Sequence, residues 1–174
     1  GGYNVEPVKW RVAQKHGNQA MLICENVLTG NIPFYENFSD NRTVDGETIY
    51  PNNYEYSEIR AYLNGLSYPD LKKTETKWEN NGFLQTAFTA DEKNLILTTV
   101  IDNSEAQYAN QSALGKKEYL CRNTRDKIFL LSKKDIENPE LGFTGNDSRI
   151  RLVTDYAYAH MAFRSNLSKG IWWV

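Results

Sequence analysis

Cysteine and histidine are scarce in this sequence, which holds two of each in 174 residues. Zinc sites need several such side chains at short, regular spacings, and neither an H-E-x-x-H motif nor a closely spaced Cys pair occurs. A G-x-S-x-G nucleophile elbow is missing as well. The sequence therefore argues against a zinc protein and against a serine hydrolase of the elbow type.

Long runs of one chemical character are also missing. No apolar run approaches the roughly 18 residues that a membrane-spanning helix needs. No basic block is longer than Lys116-Lys117 or Lys133-Lys134, and the formal net charge is −2. Duplex nucleic acid is bound through clustered basic side chains, so we expect neither a nucleic-acid partner nor a membrane span.

The chain is long enough to form one self-sufficient core, because 174 residues with 40% hydrophobic content can bury about two-thirds of their extended surface. We therefore expect a single domain over residues 1–174. Cys24 and Cys121 permit one disulfide or two free thiols. Cys24 ends the apolar run from Ala20, where a buried thiol is more typical than a bridge, so we expect both thiols to be free.

Capping signals predict most of the helices. Ser57 is a typical N-cap, and Gly65 offers a left-handed stop to the helix between them. Capping boxes open at Thr89 and at Ser132, and Thr154 opens a helix that we expect to continue through Phe163. A one-sided apolar pattern predicts a further short helix over 83–88.

Alternating or continuous apolar residues predict the strands. Residues 8–12 and 20–24 flank turn residues and predict a β-hairpin, with Trp10 and Val12 facing the core. Further strands are expected over 97–101, over 127–131 as a buried central strand, and over 171–174. Four large side chains are expected to be buried: Trp10, Phe88, Phe129 and Leu131.

Three long polar segments are candidates for binding: 29–53, 66–81 and 102–126. Loops longer than about 12–15 residues are often functional in compact domains. Tyr50, Tyr54 and Tyr56 are concentrated at the end of the first of them, and such tyrosines can form a recognition surface. The alternative is that they pack the loop onto the core. Asp102, Asn103 and Glu105, or Asn146 and Asp147, are candidate calcium ligands. Asx turns explain the same residues without any ion, and neither cluster has the number of ligands that calcium needs, so we expect no resident cofactor.

The order of several short motifs resembles a bacterial and phage domain family of unknown function, which carries a Trp-Trp-Leu-Arg-Ser-Pro signature near its end. These motifs cover nearly the whole chain: Val8-Lys-Trp-Arg-Val12, Ser57-Glu-Ile-Arg-Ala-Tyr-Leu-Asn64, Ala87-Phe-Thr-Ala-Asp-Glu-Lys93, Asp102-Asn103, Asp126-Lys-Ile-Phe-Leu-Leu-Ser132, Thr154-Asp-Tyr-Ala157 and Trp172-Trp173. That family is similar in pattern to the C-type-lectin-like fold, which formylglycine-generating enzymes also use.

The resemblance implies an α+β, C-type-lectin-like fold with a small antiparallel sheet, short helices and long loops. Family members continue beyond the Trp-Trp pair, so the closing strands are expected to lie outside this chain. Residues 171–174 would then pair with a second subunit or with a completing segment, the alternative being a strand paired internally. Formylglycine-generating enzymes depend on a redox cysteine pair in the C-terminal part of the domain, and no cysteine follows Cys121 here. The resemblance therefore does not imply that activity.

These observations together favour a non-catalytic binding or adhesion module of an exported bacterial or phage-related protein, secreted or at the cell surface. The expected ligand is a carbohydrate or a protein, bound through Tyr50, Tyr54, Tyr56 and Trp173. One rival hypothesis is an enzyme remnant or hydrolase that uses Asp91 and Glu92, which helix N-terminal charge explains better. Another is a structural spacer within a larger surface protein.

Overall fold

The computed structural model describes residues 8–35, 41–68, 78–103, 121–165, 169–170 and 172. Short helices and small, mostly antiparallel sheets alternate along these residues, so the α+β fold class is confirmed. The strands are β1 (Trp10–His16), β2 (Gln19–Cys24), β3 (Asn26–Val27), β4 (Arg42–Val44), β5 (Glu47–Ile49), β6 (Thr99–Ile101), β7 (Thr124–Asp126) and β8 (Leu152–Val153). The α-helices are α1 (Glu58–Asn64), α2 (Phe83–Thr86), α3 (Ala90–Leu95), α4 (Lys133–Ile136) and α5 (Asp155–Ala159).

The chain divides into two compact units. The first contains Gly1–Asn31 and Leu130–Val174, and the second contains Ile32–Phe129. Within the described residues, the first unit holds β1 to β3, α4, β8 and α5, and the second holds β4, β5, α1 to α3, β6 and β7.

The first unit is built on the predicted hairpin. Strands β1 and β2 pair antiparallel, with Trp10 opposite Cys24 and His16 opposite Gln19. The two-residue connection contains Gly17 at φ +59°, a left-handed conformation that glycine adopts without strain. The register shifts between Val12 and Gln14, which marks a bulge in β1.

The predicted orientation of this hairpin is wrong. Trp10 is 41% exposed and Val12 is also exposed, whereas Ala13, Met21 and Ile23 contact the core. The alternation of apolar and charged residues is real, but Arg11 occupies the inner face. Its guanidinium lies 5.5 Å from the centre of the Phe143 ring and forms a 2.8 Å ion pair with Glu25, which satisfies its charge there.

The core of the first unit is small and apolar. Its buried members are Ile23, Leu131, Leu141 and Phe143, flanked by the partly buried residues Ala13, Met21, Ile136 and Trp172. Helix α4 begins at Ser132 with the predicted capping box, in which Ser132 and Asp135 bond each other's backbone N–H. A short 3-10 helix, Pro139–Leu141, follows and ends at Gly142.

Helix α5 starts where the sequence predicts and ends earlier. The Thr154 hydroxyl accepts a 3.0 Å hydrogen bond from the Ala157 N–H, which confirms the N-cap. The helix ends at Ala159 rather than Phe163, because Met161 takes a left-handed conformation at φ 64°. Strand β8, which precedes it, pairs in parallel with β3.

The second unit is organised around α1. The Ser57 hydroxyl accepts a 3.2 Å hydrogen bond from the Arg60 N–H, and Gly65 ends the helix at φ 62°, so both predicted ends are confirmed. Ile59 and Ala61 are buried beneath the helix. Tyr62 packs edge-on against Trp78 with ring centres 5.0 Å apart.

The predicted central strand over 127–131 is absent from the described structure; strand β7 lies just before it and pairs with β6. The side chain of Asn64 takes the place of a neighbouring strand. Its Oδ1 accepts hydrogen bonds from the N–H groups of Lys127 (2.9 Å) and Ile128 (3.1 Å), and its Nδ2 donates to the Ile128 carbonyl at 2.8 Å. Leu131 is buried as expected, but Phe88 and Phe129 are only half-buried.

A second hairpin lies inside the segment that was predicted to be an irregular loop. Strands β4 and β5 pair antiparallel, with Val44 opposite Glu47. The connecting residues, Asp45 and Gly46, both have positive φ, at 50° and 84°. This is the geometry of a type I′ turn, for which Asp-Gly is a strong sequence signal that the loop prediction overlooked.

No helix among the described residues is long and apolar enough to cross a membrane.

Candidate functional site

A cavity of about 260 Å³ lies in the second unit, against β5. Hairpin β4–β5, the loop that leads into α1 and the residues just before β7 all contribute to its wall. It is lined by Glu47, Thr48, Ile49, Asn53, Glu55, Tyr56, Cys121 and Arg122. Most of these side chains are polar or charged, so the cavity suits a polar ligand.

Local hydrogen bonds shape the loop before α1. The Asn53 N–H donates to the Tyr50 carbonyl at 3.0 Å, and the Asn53 Oδ1 accepts from the Tyr56 N–H at 3.1 Å. Ser57 then caps α1 and also donates its hydroxyl to the Tyr54 carbonyl at 2.8 Å. Asn and Ser side chains stabilise turns in this way, and here they hold Tyr56 at the cavity.

An ion pair forms the polar centre of the cavity. Arg122 Nε lies 2.9 Å from Glu55 Oε1 and 3.2 Å from Oε2, and Arg122 Nη2 lies 2.9 Å from Oε1. Arg122 Nη2 also donates to the Tyr56 hydroxyl at 2.6 Å. The Arg122 side chain is 68% exposed and that of Glu55 is 19% exposed, so the guanidinium is open to solvent while the carboxylate is sheltered.

Electrostatics favour the charged form of Arg122. The adjacent Glu55 carboxylate, with a smaller contribution from Tyr56, raises the pKa of the Arg122 guanidinium. Paired hydrogen bonds between a guanidinium and a carboxylate fix the relative orientation of the two planes. The cavity therefore presents a fixed arrangement of a cation, an anion and a phenol.

A second guanidinium holds Tyr56 from the hairpin side. Arg42 Nη2 donates to the Tyr56 carbonyl, and the Arg42 guanidinium lies 6.0 Å from the Tyr56 ring centre. The same guanidinium lies 4.8 Å from the ring of Tyr35 and 5.2 Å from that of Tyr68, both of which are buried. Stacking of arginine on aromatic faces thus ties β4 to the cavity wall.

Cys121 lines the cavity as a free thiol, and Cys24, in the first unit, is also free. Burial raises the pKa of the Cys121 thiol, and burial likewise raises the pKa of Cys24. Thiols act as nucleophiles in the thiolate form. Cys121 therefore remains protonated near neutral pH and contributes a small, weakly polar surface to the cavity.

Of the predicted ligand-binding residues, Tyr56 lines the cavity. Tyr50 and Tyr54 are half-buried and lie outside its lining; their carbonyl groups accept hydrogen bonds within the loop, and the Tyr54 ring lies 6.5 Å from that of Phe34. Trp173 is outside the described residues. Its neighbour Trp172 is half-buried against the core of the first unit and donates its indole N–H to the Arg149 carbonyl at 3.1 Å.

Two of the candidate calcium ligands, Asp102 and Asn103, lie beside β6 and β7. Asp102 is exposed, and Glu105 lies outside the described residues. Asn103 makes structural contacts: its Nδ2 donates to the Arg122 carbonyl at 3.0 Å and to the Thr124 hydroxyl at 3.3 Å. Across the described part of the chain, no group of three His, Cys, Asp or Glu side chains is placed to hold a metal ion.

The charged members of the cavity were missed from the sequence. Glu55 and Arg122 are separated by 67 positions, and nothing local marks either of them. The Asp45-Gly46 turn was the available signal, because it predicts that residues 47–49 form a strand beside the tyrosine segment.

The family model described as Domain of unknown function (DUF6273) matches residues 17–174. The chain belongs to this family. The expectation of a domain family of unknown function is thereby confirmed, and every residue that lines the cavity lies within the matched part of the DUF6273 domain. Comparison with curated proteins and with solved structures finds no significant match to this chain.

Proposed function

We propose that this domain is a non-catalytic binding module, and that the cavity beside β5 holds one sugar unit of a carbohydrate ligand. The observation that carries the proposal is the fixed group of Glu55, Tyr56 and Arg122, in which an exposed guanidinium, a sheltered carboxylate and a phenol meet within hydrogen-bonding distance. Neighbouring sugar hydroxyls need donors and acceptors side by side, and these three side chains supply both.

The size of the cavity supports a small ligand unit. Sites for drug-sized ligands occupy about 300–1,000 Å³. The cavity here, about 260 Å³, lies just below that range. It suits a single ring with hydroxyl groups better than an extended peptide, which would need a longer groove or an open strand edge.

The chemistry of the site supports binding rather than catalysis. Cys121 is protonated, so it is a poor nucleophile. Of the two carboxylates considered for a hydrolase, Glu92 accepts bonds from the Thr89 N–H (2.8 Å) and hydroxyl (2.9 Å), and these lower its pKa. A carboxylate that is held ionised within a helix cap is poorly suited to act as a general acid.

The motif order that resembles the C-type-lectin-like fold favours the same function, since that fold is used for recognition by exported and surface proteins. We extend the proposal accordingly to an adhesion module that acts outside the cell. Family members with the Trp-Trp-Leu-Arg-Ser-Pro signature would share it.

A glycan array followed by calorimetric titration of the best ligand tests the proposal. Tyr56→Phe removes one hydroxyl, and Arg122→Met removes the exposed cation while keeping much of the side-chain length. We expect affinity to fall at least about tenfold in Arg122→Met, since a hydrogen bond to a charged group contributes about 1.5–3 kcal/mol. The fall in Tyr56→Phe should be about two- to tenfold, since a bond between neutral groups contributes about 0.5–1.5 kcal/mol. Tyr158→Phe and Arg125→Met make the same chemical changes at exposed positions outside the cavity and serve as controls.

Two results would refute this proposal. One is the absence of any glycan that binds the folded protein. The other is binding that the cavity variants and the control variants retain equally, which would move the site elsewhere. The wild type could instead retain a protein from culture medium that the cavity variants do not retain. That result would refute the carbohydrate ligand and indicate a protein ligand at the same site.

A further inference from the structure

Arg151 is a buried arginine in the first unit, far along the sequence from the cavity. The residue is only 7% exposed and follows a short 3-10 helix, Asp147–Arg149. Its Nη1 donates to the Ser148 carbonyl at 2.9 Å and to the Ile150 carbonyl at 3.0 Å. The other terminal nitrogen, Nη2, is buried and has no hydrogen-bond partner among the described residues.

Aromatic rings surround the same guanidinium. It lies 5.5 Å from the ring centre of Phe143 and 5.7 Å from that of Trp172. These contacts stabilise a cation, but they provide no hydrogen-bond acceptor for the N–H groups of Nη2. Arginine cannot escape the cost of burial by losing its proton, because its pKa is too high.

The surroundings of Arg151 hold an excess of positive charge. The Arg11 guanidinium lies over the same Phe143 ring, 5.5 Å from its centre. Glu25 pairs with Arg11 at 2.8 Å. No carboxylate of the described residues forms an ion pair with Arg151, and Arg149 donates only to neutral acceptors, the Ile136 carbonyl and Asn146 Oδ1.

We propose that Arg151 Nη2 is the anchor of an anion-binding site, and that its ligand is a small oxyanion, a carboxylate or a phosphate group. A buried charge is normally paired, and among the described residues Glu25 pairs with Arg11 while no carboxylate pairs with Arg151. An oxyanion would accept from Nη2 and balance the excess positive charge. The site lies in the first unit and is independent of the carbohydrate proposal, which concerns the second.

Thermal unfolding with and without 50 mM sodium phosphate, at constant ionic strength set with sodium chloride, tests the site. We expect the wild-type Tm to rise by about 3 °C, because an anion that binds only the folded state stabilises it by mass action. Phosphate also stabilises proteins in general by exclusion from their surface. Arg151→Met lacks the site and reports that general effect alone, whereas the exposed control Arg125→Met keeps the site and should rise as much as the wild type does.

A second measurement covers the case in which Arg151→Met does not fold. The indole N–H signal of Trp172, identified among the four tryptophans by Trp172→Phe, should shift with saturable phosphate binding in the wild type. Arg151→Lys keeps the positive charge but loses the planar fork of N–H donors that a guanidinium presents. This variant should bind phosphate at least about tenfold more weakly. Repeating the titration with acetate distinguishes a carboxylate from a phosphate ligand.

The proposal fails if wild type and Arg125→Met are stabilised no more than Arg151→Met and the Trp172 indole signal does not move with either anion. Nη2 would then be satisfied by an ordered water molecule. It also fails if Arg151→Lys binds phosphate as tightly as the wild type does, because the guanidinium fork would then play no part.

Discussion

Replacement of Asn64 by alanine should destabilise the second unit more than its single position in α1 suggests. Asn64 is 8% exposed, and its side chain bonds the N–H groups of Lys127 and Ile128 and the carbonyl of Ile128. In a sheet, these backbone groups would form hydrogen bonds with the backbone of a neighbouring strand. Here they form them with the side-chain amide of Asn64. The variant removes all three bonds at once, together with the 3.2 Å bond from Asn64 Nδ2 to the Arg60 carbonyl, and an alanine methyl group replaces none of them.

The expected loss follows from the count of bonds. The three bonds to the backbone of Lys127 and Ile128, at about 1 kcal/mol each, give a loss of about 3 kcal/mol in the free energy of unfolding. Water could offset part of this loss by bonding the backbone groups that Asn64→Ala leaves unpaired. Residues 127 and 128 are half-buried, however, so water reaches these groups only in part and the expected loss stays near about 3 kcal/mol. For a chain of this length, about 3 kcal/mol corresponds to a fall in Tm of roughly 6–12 °C.

Urea unfolding of wild type, Asn64→Ala and Asn94→Ala measures the effect. Asn94 is an exposed residue of α3, and its replacement should change the free energy of unfolding by no more than about 0.5 kcal/mol. Hydrogen exchange of the Lys127 and Ile128 amides should accelerate in Asn64→Ala alone. A loss below about 1 kcal/mol, with protection of both amides unchanged, would refute the role given to Asn64.

Three further outcomes are expected. Ser57→Ala should cost about 1–2 kcal/mol in urea unfolding, because it removes the buried α1 cap and a bond to the Tyr54 carbonyl; an unchanged midpoint would contradict this. Gly142→Ala should destabilise the first unit by about 1 kcal/mol or more, since Gly142 has φ +84° and a Cβ there would lie 2.5 Å from Arg11 Nη1; a rise in Tm would contradict it. Burial raises the pKa of the Cys24 and Cys121 thiols above the ordinary value of about 8.5. The stability linked to these protonated thiols is therefore fully present below about pH 8.5 and is lost as the pH rises through the folded-state pKa. Iodoacetamide should therefore label the folded protein slowly at pH 8, and labelling as fast as in urea would contradict this.

Helix starts could be predicted from the sequence because their signals are local. The caps at Ser57, Thr89, Ser132 and Thr154 each depend on a side chain that bonds an N–H within the next three residues. The end of α5 was not predictable in this way. It depends on Met161, a residue type that rarely takes positive φ and so gives no warning of a stop.

Strand predictions failed where a side chain replaced a strand. Residues 127–131 have the composition of a buried strand, but their partner is Asn64, 64 positions earlier than Ile128. The orientation of the first hairpin failed for a related reason. Arg11 reaches the core side because Glu25 and Phe143 receive its charge, and neither contact is visible in the alternation of residues 8–12.

The candidate site shows how far composition alone can lead. Tyrosine density drew attention to Tyr50, Tyr54 and Tyr56 without separating them. The structure shows partners for all three polar groups of Tyr56: its N–H donates to Asn53, its carbonyl accepts from Arg42 and its hydroxyl accepts from Arg122. Two of these partners lie at least 14 positions away.

The same three bonds explain why Tyr56 can serve recognition without sacrificing order. Backbone bonds to Asn53 and Arg42 hold its main chain, so the hydroxyl is placed at the cavity before any ligand arrives. Arg122, in turn, is oriented by Glu55 and does not depend on the phenol for its position. A ligand that bonds this hydroxyl and the exposed edge of Arg122 would therefore meet groups already in place, which reduces the entropy lost on binding. Affinity at such a site depends on the placement of Glu55, Tyr56 and Arg122 relative to one another. Only the folded second unit brings Glu55 and Arg122 together, and for that reason neither residue stands out in the linear sequence.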